Sequence, residues 1–339
     1  MKQVVFLIAL LFITANAFAQ HEMPSVLTDY EELVDTKPHD SKETWNNKMS
    51  APVQLSWGST DIRYNKFNIP DIKKKAQLSL TAWKGERIHA QAVLWTNRNL
   101  DNVTVSVSDL RNGASVIPAS DISTHFVRYV MTDELNKDGN GGCGHRENKA
   151  EWDSLLVADV LDIINVRDIS ACHTQPIWIK IHVPSNVNSG KYKGVMTVSG
   201  ANFKPMKLHI EVNVLKRTLP NPKDWALHLD LWQNPYAVAR YYQVPLWSQE
   251  HLELVYPIMK MLPDVGQRAI TTSIMHKPWN GQTEDHFDSM ITRIKRIDGS
   301  WSYDYSVFDK WVTFMMDKVG IDEMINCYTM IPWLSLIHI

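Results

Sequence analysis

Six side chains in the last third of the sequence could bind a polar ring together. Asp230, His276 and Tyr328 offer hydrogen-bonding groups, and Trp232, Trp279 and Trp333 offer flat apolar faces. Hydroxyl groups need directed partners and ring faces need flat ones, so this set suits a sugar. Each residue also has a plainer reading. Asp230 could make a structural hydrogen bond or cap a helix, and His276 could be a satisfied histidine at the rim of a fold. Trp279 lies in Pro278-Trp279-Asn280-Gly281, a loop sequence in which an exposed Trp favours binding.

Sugar hydrolysis calls for two acids, or one acid with help from the substrate. The adjacent acidic pairs are Glu31-Glu32, Asp133-Glu134 and Asp322-Glu323. The first lies in a leader, the second follows a strand of a different domain, and the third precedes a strand at the end away from the six residues. All three read as solvated surface. None makes a convincing catalytic pair, and no HExxH, GxSxG or Ser-His-Asp pattern is present.

The six residues need strands to hold them. After Pro220 and Pro222, Ala226–Trp232 reads as a short strand and Ser248 caps a helix to about Leu262. Arg268–His276 reads as the next strand. Met290–Ile297 and Trp301–Tyr305 flank Asp298-Gly299, a hairpin signal. Ser306 caps a second helix that stops at Gly320, and Met324–Met330 is a third strand. Strand–helix alternation predicts βα units of a parallel sheet, most simply the opening of a (β/α)8 barrel, whose working residues lie at the C-terminal strand ends. The six residues are chosen by that rule. A barrel needs about 250 residues, so the part after Pro222 cannot close one. Trp225 and Trp311 read as core.

Upstream the period is two. Val103, Val105 and Val107 alternate with polar residues, as do Ile177 to Val183 and Met206 to Val214. Further strands are expected at 53–57, 76–82, 86–95, 124–131 and 192–199. The expected fold is an antiparallel β-sandwich over 49–216, then a linker over 217–225 and the truncated (β/α)8 domain over 226–339. A glycine-rich excursion at Asp138–Gly144 reads as a loop needing positive φ or close backbone approach. Cys143, Cys172 and Cys327 are the only cysteines. A Cys143–Cys172 bridge remains open, and buried free thiols are the plainer reading. The Cys143/His145 and Cys172/His173 spacings are not those of a zinc site, so no metal and no cofactor is assigned.

Lys2, the apolar run Val4–Ile13 and Ala17-Phe18-Ala19 form a secretory signal peptide over 1–19 with cleavage after Ala19, which predicts a secreted or periplasmic protein. Residues 20–48 read as a polar leader. A net charge of −2 gives no basic surplus for nucleic acid. No later stretch is apolar enough to span a membrane, and no protein partner is implied. Thirteen Trp residues fit either sugar stacking or core, and composition favours core.

Several strings resemble glycoside hydrolase family 123. Leu229-Asp230-Leu231-Trp232-Gln233-Asn234-Pro235-Tyr236 and His276-Lys277-Pro278-Trp279-Asn280-Gly281-Gln282-Thr283 are similar to its catalytic domain, as are Asp298 to Tyr305 and Ile325 to Trp333. Leu55 to Ser59, Gly85-Glu86-Arg87, Gln91 to Thr96 and Gly141 to Arg146 are similar to its sandwich. The resemblance spans roughly 50–333. It implies an exo-acting β-N-acetylgalactosaminidase of the kind found in gut Bacteroidetes, retaining and substrate-assisted. The substrate's acetamide oxygen attacks the anomeric carbon, an Asp orients the acetamide, and the adjacent Glu protonates the leaving oxygen. That Asp-Glu pair is expected beyond Trp333, so no residue here inherits either role and the chain is expected to be inactive. The last six residues, Leu334 to Ile339, correspond to CTG TCT CTT ATA CAC ATC, a transposon-derived sequencing adapter, and are expected not to be natural sequence. The rival reading is a glycan-binding protein with the sandwich as a carbohydrate-binding module. An Asp-Glu pair at a later strand end in the extended gene would separate the two.

Overall fold

A computed structural model of the chain describes residues 32–35, 37–140, 148–278, 285 and 287–328. The signal peptide, Cys143, Trp279 and Trp333 lie outside the described residues. The chain divides into two compact units, one over Ser25–His228 and one containing the described residues from Leu229 onward.

The first unit is a two-sheet sandwich. Its strands are β1 Val53–Gly58, β2 Gln77–Lys84, β3 Arg87–Thr96, β4 Leu100–Val107, β5 Leu110–Asn112, β6 Ser115–Ile117, β7 Ile122–Asn136, β8 Trp152–Leu161, β9 Val166–Ile169, β10 His173–His182, β11 Gly190–Gly200 and β12 Phe203–Thr218. One sheet runs β1-β3-β10-β7-β8, and the other runs β2-β12-β11-β4-β9 with β5 and β6 appended. The alternating positions meet between them: Ala90, Ala92 and Leu94 of β3 and Ile177, Ile179 and Ile181 of β10 face Met196 and Val198 of β11 and Leu208, Ile210 and Val212 of β12. Trp57 is buried there, and its indole donates to the His209 carbonyl at 2.9 Å, tying β1 to β12.

Several expectations change. Not every pair is antiparallel, because β2 lies parallel to β12. The turn at Gly85 (φ 79°) hands the chain to the other sheet, so β2 cannot pair with β3 and lies beside β12. Residues 20–48 are not leader throughout. Ser41 caps a helix α1, Lys42–Lys48, whose fully buried Trp45 packs with Tyr64, Val93 and Trp95. Asp133 lies inside β7 rather than after a strand. Trp225 is only half-buried, its indole donating to Pro220 at 2.8 Å, so it does not fill core. Cys172 and Cys327 are free, but Cys172 is half-buried and Cys327 exposed, not fully buried as expected. Gly139 does take positive φ, at 80°.

The second unit contains helices α2 Pro235–Tyr242, α3 Gln249–Met259 and α4 Ser306–Phe314, and strands β13 Ala269–Ser273, β14 Thr292–Lys295, β15 Trp301–Asp304 and β16 Met324–Tyr328. β13 and β16 pair in parallel, with Ser273 opposite Tyr328 and Thr271 opposite Asn326. Val255 of α3, Ile270 of β13 and Trp311 and Met315 at the end of α4 form its core. The Trp311 indole donates to the Thr271 carbonyl at 3.0 Å, fixing α4 to β13. Ser248 caps α3 as expected. Ser306 does not cap α4: Tyr305 holds that position, and Asp304 accepts from the Ser306 amide instead. Gly320, at φ 92°, ends the helical run. Ala226–Trp232 is not a strand. Only Leu229 bridges, in parallel, to Gln267. Among the described residues, no helix is long and apolar enough to cross a membrane.

Candidate functional site

The segment carrying Asp230 and Trp232 is held by two side-chain amides where a strand ladder was expected. The Leu231 amide donates to Gln267 Oε1 at 2.7 Å, and Gln267 Nε2 returns a bond to the Leu231 carbonyl at 3.2 Å. Gln233 does the same one step on: its Oε1 accepts from the Thr271 amide at 2.6 Å, and its Nε2 donates to the carbonyls of Ala269, at 3.3 Å, and Leu231. Both glutamines are buried. A primary amide carries the same donor and acceptor as a peptide. The two side chains therefore replace ladder bonds that the irregular segment does not make itself.

So anchored, Asp230 and Trp232 both reach β16. Asp230 Oδ2 accepts from Asn326 Nδ2. Trp232 meets the Tyr328 ring edge to face, centroids 5.6 Å apart. Asn326 and Tyr328 are two apart on a strand and so share a face. Asp230 Oδ1 is buried with no hydrogen-bond partner. A buried carboxylate oxygen without a partner is costly. Burial, and then the Asp230 carboxylate, push the Tyr328 phenol up to about 12, so the hydroxyl stays protonated near neutral pH. Trp232 remains 47% exposed, which leaves ring surface for stacking.

Three of the six expected residues, Asp230, Trp232 and Tyr328, thus form one cluster. His276 follows β13 and is exposed, its Nδ1 2.9 Å from Asp288 Oδ1. Asp288 is itself positioned by Tyr236, whose hydroxyl donates to the Asp288 carbonyl at 2.6 Å. Trp279 and Trp333 lie outside the described residues. Asn326, Gln233, Gln267 and Asp288 were not among the expected site residues. The strand read over Met324–Met330, whose end placed Tyr328, also contains Asn326 two residues away on the same face. Nothing local in the sequence marks the two glutamines.

Of the acidic pairs, Glu32 bonds to Lys66 and Glu323 pairs with Arg268 at 3.3 Å. Among the described residues no group of three or more His, Cys, Asp or Glu could hold a metal ion.

The glycoside hydrolase 123 N-terminal domain model matches residues 57–200, and the glycoside hydrolase 123 catalytic domain model matches residues 232–339. Among solved structures, a family 123 glycoside hydrolase from Clostridium perfringens, studied for glycolipid glycan hydrolysis, superposes with a TM-score of 0.75 at 25% identity. The match covers 84% of this chain and 49% of that one, so the chain spans about half the length of that relative. AvmM, which catalyses macrocyclization in alchivemycin A biosynthesis, matches 50% of this chain and 93% of its own at 7% identity and a TM-score of 0.25. The GspB Siglec domain matches 82% and 98% at 10% identity and 0.23. Likenesses that faint carry no argument. No curated protein matches the chain. Two family models in succession, covering well over half the residues, and the C. perfringens fold together place the chain in glycoside hydrolase family 123.

Proposed function

We propose that the chain is the front part of a secreted, exo-acting β-N-acetylgalactosaminidase that works by the retaining, substrate-assisted route. In this reading 1–19 is a signal peptide, 49–216 the sandwich, and 226–339 the opening of a (β/α)8 barrel. The parallel Leu229–Gln267 bridge and the parallel β13–β16 pair support the barrel reading. The observation that carries the site reading is the Asp230 carboxylate, with one oxygen held by Asn326 and the other buried and unpartnered beside an aromatic pair.

Asp230 Oδ1 accepts from a hydroxyl of the terminal sugar, Tyr328 offers its phenol, and Trp232 stacks on a ring face. His276, with Trp279 and Trp333, completes the sugar's surroundings. No residue here takes the acetamide-orienting or acid role, so these groups bind and orient but do not transfer the proton. The test is to incubate the purified 339-residue protein, free of host glycosidase, with an aryl β-N-acetylgalactosaminide while measuring N-acetylgalactosamine binding by ligand-observed NMR. Binding without turnover is expected. Turnover would overturn the assignment of no acid, and failure to bind would overturn the sugar site.

A further inference from the structure

The hairpin β14–β15 carries an aromatic strip that the terminal-sugar site does not use. Register pairs Lys295 with Trp301 and Arg293 with Tyr303, so these four side chains share one face, with Tyr305 two residues beyond Tyr303 along the chain. Trp301, Tyr303 and Tyr305 are 52%, 52% and 47% exposed. The Tyr303 and Tyr305 ring centroids are 6.3 Å apart, and Lys295 Nζ lies 5.8 Å from the centre of the Trp301 ring. Half-exposed aromatics in a row on a two-stranded ribbon gain little for folding, and such strips mark binding surfaces.

The hairpin that carries the strip is tied to the strand beside the site. The Met290 amide donates to the Ser273 carbonyl at 2.7 Å, and Arg293 donates to the Ile274 carbonyl. The hairpin is thereby fixed to the C-terminal end of β13, where Ser273 is the register partner of Tyr328. The hairpin's two acids are engaged locally: Asp298 accepts from Ser300 in the turn, and Asp304 accepts from the Ser306 amide.

We infer that this face is a docking strip for the sugar units that follow the terminal residue, on the leaving-group side of the glycan. The inference rests on the terminal-sugar reading of the Asp230 cluster. Flat rings with polar edges match pyranose faces flanked by hydroxyls. Insertion into a lipid surface is disfavoured because the tip is Asp298-Gly299-Ser300, which is polar and would be buried first.

The experiment uses the whole 339-residue chain and two probes, N-acetylgalactosamine and a tetrasaccharide ending in β-linked N-acetylgalactosamine, titrated calorimetrically. The tetrasaccharide should bind more tightly. Trp301→Ala with Tyr303→Ala should weaken it about tenfold and leave the monosaccharide unchanged, while Trp301→Phe should keep most of the affinity. Asp230→Asn should weaken both probes. Equal affinity for the two probes, or an unchanged tetrasaccharide affinity in the double variant, overturns the strip. So does binding to phosphatidylcholine–phosphatidylserine vesicles that the double variant abolishes while the tetrasaccharide is unaffected. If Asp230→Asn changes nothing but the double variant weakens the tetrasaccharide, the terminal-sugar reading fails and the strip stands. A melting curve for each variant confirms that the fold persists.

Discussion

Asn326 donates one hydrogen bond to Asp230, and that bond divides the carboxylate into a held oxygen and a buried, unpartnered one. The two residues are 96 apart in sequence. The juxtaposition depends on the parallel register of β16 against β13 and on the glutamine-held segment that carries Asp230.

Removing the Asn326 amide should expose this dependence. Asn326→Ala leaves both carboxylate oxygens without a protein donor, which should cost about 1–2 kcal/mol in stability and weaken N-acetylgalactosamine binding about tenfold. Asn326→Asp should be worse, because it sets a second carboxylate against the first. Chemical denaturation and ligand-observed NMR on the two variants check both points. If Asn326→Asp binds as well as the parent, the amide is not what orients Asp230.

The two glutamines should be structural. Gln233→Ala removes the acceptor for the Thr271 amide, and Gln267→Ala removes the acceptor for the Leu231 amide and one of the two donors to its carbonyl. Each change leaves buried peptide groups unsatisfied, with an expected loss of about 1–3 kcal/mol. Hydrogen exchange should quicken at Leu231 in Gln267→Ala and at Thr271 in Gln233→Ala, while β11 and β12 of the sandwich keep their protection. Unchanged exchange at both amides would count against the ladder-replacement account.

Trp45 should matter to the sandwich although it lies outside the strands. Its ring is fully buried against Tyr64, Val93 and Trp95, and its indole donates to the Phe67 carbonyl at 3.2 Å. Trp45→Ala should cost about 3–5 kcal/mol. A fragment over 49–216 should melt well below one over 32–228, read by circular dichroism. Equal melting temperatures would show that α1 adds nothing.

Acid should weaken the first unit through His173. Burial, then Lys66 and His39, lower its pKa from 6.5 to about 4. A histidine held neutral in the folded state and protonated more readily in the unfolded one contributes stability in full above about pH 6.5. That contribution falls away as the pH drops towards about 4. Urea midpoints measured across this window should decline in the parent and decline less in His173→Gln. Parallel curves would assign the acid sensitivity elsewhere.

Much of this protein is written in local pattern. Alternation at Ile177–Val183 and Met206–Val214 marks strands, because a two-sheet core accepts one face and water the other. Asp298-Gly299 marks the hairpin, and Gly299 duly takes φ 84°. Asn234-Pro235 is a helix-start signal for α2, with Asn234 capping and Pro235 in the first turn.

Long-range pairing is not written there. A period of two states that a strand has a buried face but not which strand lies beside it, so the parallel β2–β12 pair emerged only from the folded chain. Polar residues at 42–48 disguised a helix whose one large apolar residue, Trp45, seals an outer face of the sandwich. The strand-end rule selected Asp230, Trp232 and Tyr328 from the sequence. Tertiary structure decided that they meet, and that Gln233, Gln267 and Asn326 make them meet. A hydrogen bond between residues far apart in sequence leaves no periodic trace, because its partners are chosen by register rather than by neighbours along the chain.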